Sequence, residues 1–205
     1  MGEGRLGSLA PSGLGPRVAV VVVDVQNDFT DPSGALAVPG AEEIIEPVNA
    51  LVDAAQGAGT AVFYTQDWHP ARTPHFDTDG GPWPPHCVAG SWGAELHPRL
   101  AVVGPVVRKG TGMEDGYSGF TVRDLEADED KPTELDAELR ARGVERLLVV
   151  GLALDVCVKA TALDAARLGY RTSVLTSCSR PIAGDPDDLA RTLDELVVGG
   201  VQVED

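Results

Sequence analysis

Cys157 lies in the segment Gly151-Leu-Ala-Leu-Asp-Val-Cys157-Val, where an apolar run at 147–150 gives way to an Ala-rich stretch at 157–168 that reads as a helix. A thiol at such a junction meets the unpaired N–H groups and positive dipole end of the helix, which favour a thiolate and any oxyanion formed beside it. Asp24 follows five apolar residues at 19–23. A carboxylate delivered from the end of a buried strand is a candidate base for a thiol. Lys109 closes another apolar run, and of sixteen basic residues only Lys109, Lys131 and Lys159 are lysines. Where arginine is the default cation, a lysine at a strand end suits a site that needs a compact point charge between a carboxylate and a sulfur.

A second group of residues has the chemistry of metal ligands. Asp67 and His69 are spaced i, i+2 at the end of a strand, so their side chains leave on one face, and His75 and His86 add two imidazoles. Imidazoles with a carboxylate suit zinc, with ferrous iron or manganese as alternatives, and leave positions open for water or a substrate nitrogen. Cys87 adjoins His86 and is expected to point elsewhere. His97 is assigned to the surface, Cys178 to the core as a small hydrophobe, and Asp155 to a helix N-cap.

These side chains need a frame that brings strand ends together. Continuous apolar runs at 17–23, 60–65, 105–108, 146–150 and 171–176 read as buried strands, and stretches at 41–56, 133–142, 157–168 and 186–198 read as helices. The alternation predicts a doubly wound α/β domain over 17–205, with a mainly parallel sheet of about six strands and helices on both faces. Residues 1–16 are expected to form a flexible arm. The segment 124–132, rich in acids, is expected to be a solvated loop. A long aperiodic stretch, 67–100, holds all three tryptophans and all four histidines, and such loops usually carry function. In open α/β sheets ligands bind beyond the carboxyl ends of the strands, where Asp24, Asp67, Lys109 and Cys157 all fall.

A formal charge of −16 and a pI near 4.5 argue against nucleic acid or an anionic membrane as partner and favour a small molecule. Three cysteines do not make a disulfide framework and point to the reducing cytoplasm. The chain has no run of about 18 apolar residues.

Several separated motifs together resemble the nicotinamidase/pyrazinamidase group of the isochorismatase-like cysteine hydrolases: Asp24-Val-Gln-Asn-Asp-Phe29, Asp67-Trp-His69, Trp83-Pro-Pro-His86, Lys109-Gly, Tyr117-Ser-Gly-Phe120 and the segment around Cys157. The resemblance implies a catalytic triad of Asp24, Lys109 and Cys157. It further implies a metal held by Asp67, His69 and His86 with His75 as a variable fourth ligand, and a ring pocket walled by Phe29, Trp83 and Tyr117. A cis peptide between Leu152 and Ala153 is implied as well, with the N–H groups of Ala153 and Cys157 forming an oxyanion hole. The implied reaction is hydrolysis of nicotinamide, and of pyrazinamide, through a thioester on Cys157. The alternative is a related cysteine amidohydrolase acting on another small amide or carbamoyl compound. Leu154 and Val156 depart from the polar and aromatic residues common at these positions in that group, which bears on substrate breadth. An apolar face on 186–198 is compatible with a homo-oligomer.

Overall fold

The computed structural model describes residues 13–125 and 127–205; residues 1–12, most of the expected arm, lie outside the described residues. The elements run β1 (Val18–Val23), the single turn α1 (Asn27–Thr30), α2 (Ile45–Gly57), β2 (Ala61–Asp67), β3 (Val106–Lys109), β4 (Glu114–Asp115) and β5 (Thr121–Asp124). They continue with β6 (Glu129–Pro132), α3 (Leu135–Ala141), β7 (Arg146–Leu152), α4 (Lys159–Arg167), β8 (Arg171–Arg180), α5 (Pro186–Val198) and β9 (Gln202–Glu204).

Six strands form one parallel sheet in the order β3-β2-β1-β7-β8-β9. The Val-rich runs sit at its centre because a parallel strand between two helical layers must be apolar on both faces. Val20 and Val22 of β1 face a core shared with Val48, Leu51 and Val52 of α2. Ala19, Val21 and Val23 face the opposite core, with Leu135 and Leu139 of α3, Ala162 and Ala165 of α4, and Leu196 of α5. Helices therefore cover both faces, as the alternation predicts. The sixth strand, β9, is only three residues long.

The strand order reverses between β1 and β7, which is the topological switch point where such sheets open a crevice beyond their carboxyl ends. Register places the crevice floor: Val23 pairs with Gly151, and Asp67 pairs with Lys109. Gly151 adopts φ +115°, and a Cβ there would lie 2.2 Å from the Val23 carbonyl oxygen. Only glycine permits that approach of β7 to β1.

The segment 124–132, expected to be a loop, is instead half of a hairpin. β5 and β6 pair antiparallel from Thr121↔Pro132 to Asp124↔Glu129, and β4 completes a three-stranded sheet. Asp128, Glu129 and Asp130 are exposed, and charges pair across the strands, Lys131 with Asp124 at 2.5 Å and Arg123 with Asp130 at 3.0 Å. Cross-strand charge pairs can stabilise a hairpin with no apolar periodicity to announce it. This sheet carries the stretch from Asp115 to Tyr117 toward the crevice.

Candidate active site

Lys109 is the hub of the site. It is 1% exposed, and its Nζ lies 2.8 Å from Asp24 Oδ2, 2.5 Å from Asp67 Oδ1, 2.5 Å from the Gly116 carbonyl and 3.6 Å from Cys157 Sγ. A buried ammonium is tolerated only with such pairing. Burial works against its charge, but Asp24, Asp67 and Cys157 hold its pKa well above the ordinary lysine value. Carboxylate oxygens of Asp24 and Asp67 and the sulfur of Cys157 all lie within 4.8 Å of one another.

Asp24 leaves β1 in the left-handed region, at φ +50°, and accepts a 2.6 Å hydrogen bond from the Thr65 hydroxyl. Burial pushes its carboxyl up to about 6; Lys109 and Thr65 oppose that rise and Asp67 adds to it. Cys157 lies in a single π-helical turn, Leu154–Val158, that leads into α4. Burial pushes its thiol well above the ordinary value, and Lys109 only partly offsets this. Desolvation of the sulfur thus opposes the thiolate that a helix start favours, and a carboxylate oxygen of Asp24 lies within 4.8 Å of that sulfur.

Three imidazoles meet on the other side of Asp67, with one ring nitrogen each from His69, His75 and His86 within 4.8 Å of one another. Each ring directs Nδ1 at an oxygen: His69 at the Gly110 carbonyl (3.1 Å), His75 at Asp115 Oδ1 (2.5 Å) and His86 at the Pro84 carbonyl (2.7 Å). With Nδ1–H donating, Nε2 keeps its lone pair, which is the arrangement that orients histidines toward a metal. Nε2 of His69 is buried with no hydrogen-bond partner and lies 3.8 Å from Asp67 Oδ2. Burial depresses the pKa of His75, and that of His86 to about 4, so both are neutral donors near pH 7. The donor set fits a divalent ion, and His75 stands fully within it.

Above these groups opens a pocket of some 380 Å³, its mouth included, lined by Phe29, Trp83 and Tyr117 as the motifs suggest. Trp83 Nε1 donates to the Tyr117 hydroxyl at 2.9 Å, fixing two walls against each other. Leu36, Val38, Val156 and Ile182 add aliphatic surface, with Gly116 and Ala153 beside them. Sequence reasoning did not single out Leu36, Val38 or Ile182, since they are aliphatic residues of irregular segments with no spacing to mark them. The peptide between Leu152 and Ala153 is cis.

The segment Asp24 to Phe29 also contains supports that sequence reasoning left without a role. Gln26 brackets Asp67, donating to its carbonyl (2.8 Å) and accepting from its N–H (2.8 Å). Asp28 accepts from the Cys87 N–H at 2.7 Å and the Ala35 N–H at 3.0 Å, so it ties the residue after His86 to the segment before Leu36.

Other assignments change. His97 is buried, not on the surface, because its N–H donates to the Val25 carbonyl behind the site (2.9 Å). Asp155 makes no capping bond; it lies inside the π turn and its carboxylate accepts from the N–H groups of Ile182 and Ala183. Leu154 is buried in the core and does not line the pocket, whereas Val156 does. Cys87 turns its sulfur to the Gly93 carbonyl, 3.8 Å away, and Cys178 is buried in the core, both as expected.

The chain is similar to known proteins over nearly its whole length. The chain is 39% identical over 203 residues to the nicotinamidase of Escherichia coli (strain K12), covering 90% of this chain and 93% of that protein. Its fold superposes on the L. infantum protein solved in complex with nicotinate with a TM-score of 0.86, at 34% identity and covering 95% and 96% of the two chains. The pyrazinamidase of Pyrococcus horikoshii, solved in complex with zinc, gives a TM-score of 0.81 at 36% identity, covering 92% and 98%. The isochorismatase domain matches residues 18–198, and the chain belongs to that family.

Proposed function

We propose that this protein is a nicotinamidase, an amidohydrolase that converts nicotinamide to nicotinate and ammonia and acts on pyrazinamide as a second substrate. The observation that carries this reading is the junction of two sites at Asp67. One of its oxygens faces Lys109 in the thiol centre, and the other faces the imidazole cluster on the pocket floor.

Asp24, its pKa raised to about 6, takes the proton of the Cys157 thiol as sulfur attacks the carboxamide carbon. The N–H groups of Ala153 and Cys157 receive the oxyanion, a contribution of about 3–4 kcal/mol per donor in other enzymes. Asp24 then gives its proton to the departing nitrogen, and ammonia leaves a thioester. Water, deprotonated by Asp24, attacks the thioester, and the acid product departs as Cys157 recovers its proton. Lys109 holds the charges in register throughout and transfers no proton. Phe29, Trp83 and Tyr117 clamp the ring and keep water from its faces.

Asp67, His69, His75 and His86 would hold a divalent metal ion, zinc in our reading, which when bound supplies a Lewis-acid anchor for the ring nitrogen of the substrate. Three buried, unpaired cysteines support placing the enzyme in the cytoplasm, where it would return nicotinamide to pyridine nucleotide synthesis. Among the described residues no helix is long and apolar enough to cross a membrane.

The test is release of ammonia and nicotinate from nicotinamide by the zinc-loaded protein, with benzamide as the ring-nitrogen-free control and Cys157→Ala alongside. Nicotinamide turnover, benzamide slower by at least about a hundredfold, and a dead Cys157→Ala that still holds its metal are expected. Activity retained in Cys157→Ala would assign the chemistry elsewhere, and equal rates on benzamide would remove the ring nitrogen from recognition.

A further inference from the structure

Asp155 lies two residues before the nucleophile, yet its carboxylate points away from the reacting groups. Oδ1 accepts from the Ile182 N–H and Oδ2 from the Ala183 N–H, each at 2.9 Å. The acceptors belong to the turn that carries Cys157. The donors belong to 181–185, the connection from β8 to α5, which has neither helical nor strand structure. Pairing of β7 with β8 ends at Leu152↔Arg180. Strand pairing stops there, and the carboxylate links the two segments beyond it.

The bridge borders the pocket through Ile182 and through the neighbour of Asp155. Ile182 packs against the core and lines the pocket, and Val156, next to Asp155, lines it from the nucleophile's own turn. We infer that Asp155 is a positioning residue that clips the Ile182 loop to the nucleophile turn, so that Ile182 and Val156 form an aliphatic wall at a fixed distance from Cys157 and select flat, unsubstituted ring amides. A carboxylate is suited to this task because two successive N–H groups need two acceptors. An asparagine offers one acceptor and turns a donor toward the second N–H. The selectivity rests on the nicotinamidase reading, whereas the clip itself does not.

Hydrogen exchange at the Ile182 and Ala183 amides, followed in wild type, Asp155→Asn and Asp155→Glu, tests the clip without substrate. Asparagine should speed exchange at both amides by at least about tenfold, and glutamate, which keeps two acceptors, should restore slow exchange. Unchanged exchange in Asp155→Asn overturns the clip. Steady-state kinetics on nicotinamide test the wall: Asp155→Asn and Ile182→Ala should each raise KM about tenfold with kcat altered less than about threefold. The double variant should be no worse than the weaker binder of the two, since both changes remove one wall. Multiplicative KM effects, or a fall confined to kcat, overturn the positioning role. If Asp155→Asn proves unstable, Ile182→Ala still decides the wall, because it removes no hydrogen bond and an unchanged KM refutes it. A wild type inert on nicotinamide fails the functional reading while leaving the exchange result to decide the clip.

Discussion

Replacing Lys109 with methionine tests the charge arrangement directly, because it keeps the length of the side chain and removes only its charge and donors. In the wild type the ammonium lies 2.8 Å from Asp24 and 2.5 Å from Asp67. Without it, two buried carboxylates remain within 4.8 Å of each other with no buried cation between them. They cannot both stay ionised, so Asp24, already raised to about 6 by burial, rises further. Its folded pKa then stands well above its unfolded value of about 3.9. A group raised in this way is stabilising when protonated and loses that contribution as pH climbs through its folded pKa. The deficit of Lys109→Met against wild type should therefore widen with pH. It should be about 2 kcal/mol near pH 4.5, where Asp24 carries its own proton and what is missing is the pair with Asp67 and the hydrogen bonds of the ammonium. Near pH 8 it should reach about 3–5 kcal/mol, the usual cost of breaking a buried pair from one side.

Urea unfolding of metal-free wild type and variant at pH 4.5, 6 and 8 reads this difference. With a slope of about 2 kcal/mol per molar, the midpoint gap should grow from about 1 M to about 2 M. Turnover at neutral pH should fall by at least about a thousandfold, since a protonated Asp24 cannot accept the thiol proton. A gap that stays constant with pH, or narrows as pH rises, would show that Lys109 does not neutralise these carboxylates in the folded protein.

Two further outcomes follow from the same geometry. The kcat/KM of the metal-saturated enzyme should fall about tenfold per pH unit below about 6, because the base Asp24 is protonated below its pKa of about 6; a profile flat down to pH 5 would place the base elsewhere. Gly151→Ala should lower stability by about 3 kcal/mol or more, since its Cβ would lie 2.2 Å from the Val23 carbonyl oxygen at φ +115°; a thermal midpoint equal to wild type would mean that β1 and β7 can separate at low cost.

The parts legible in the sequence are those where one strand ends. Asp24 and Lys109 are polar residues closing apolar runs, and the carboxyl ends of parallel strands are where a doubly wound sheet opens its crevice. What sequence spacing cannot show is which distant backbone a side chain meets. Asp155 meets N–H groups 27 and 28 positions on, and Gln26 meets Asp67 41 positions on. Local rules therefore made Asp155 a helix cap, the commonest short-range partner for an aspartate in that place. The hairpin of β5 and β6 escaped for a different reason, since its pairing rests on opposite charges across strands and leaves no apolar rhythm.

The spacing of Asp67 and His69 marks Asp67 as a candidate ligand but not as a divider. Its Oδ1 faces Lys109 and its Oδ2 faces the His69 imidazole, so any charge placed among the three histidines competes with Lys109 for the same carboxylate. The Asp67 charge itself opposes loss of the Cys157 proton, and a cation held at the imidazoles would offset part of that charge. Asp67 is the side chain through which the thiol centre and the imidazole cluster touch, a link that lies in the fold and not in the spacing of the residues.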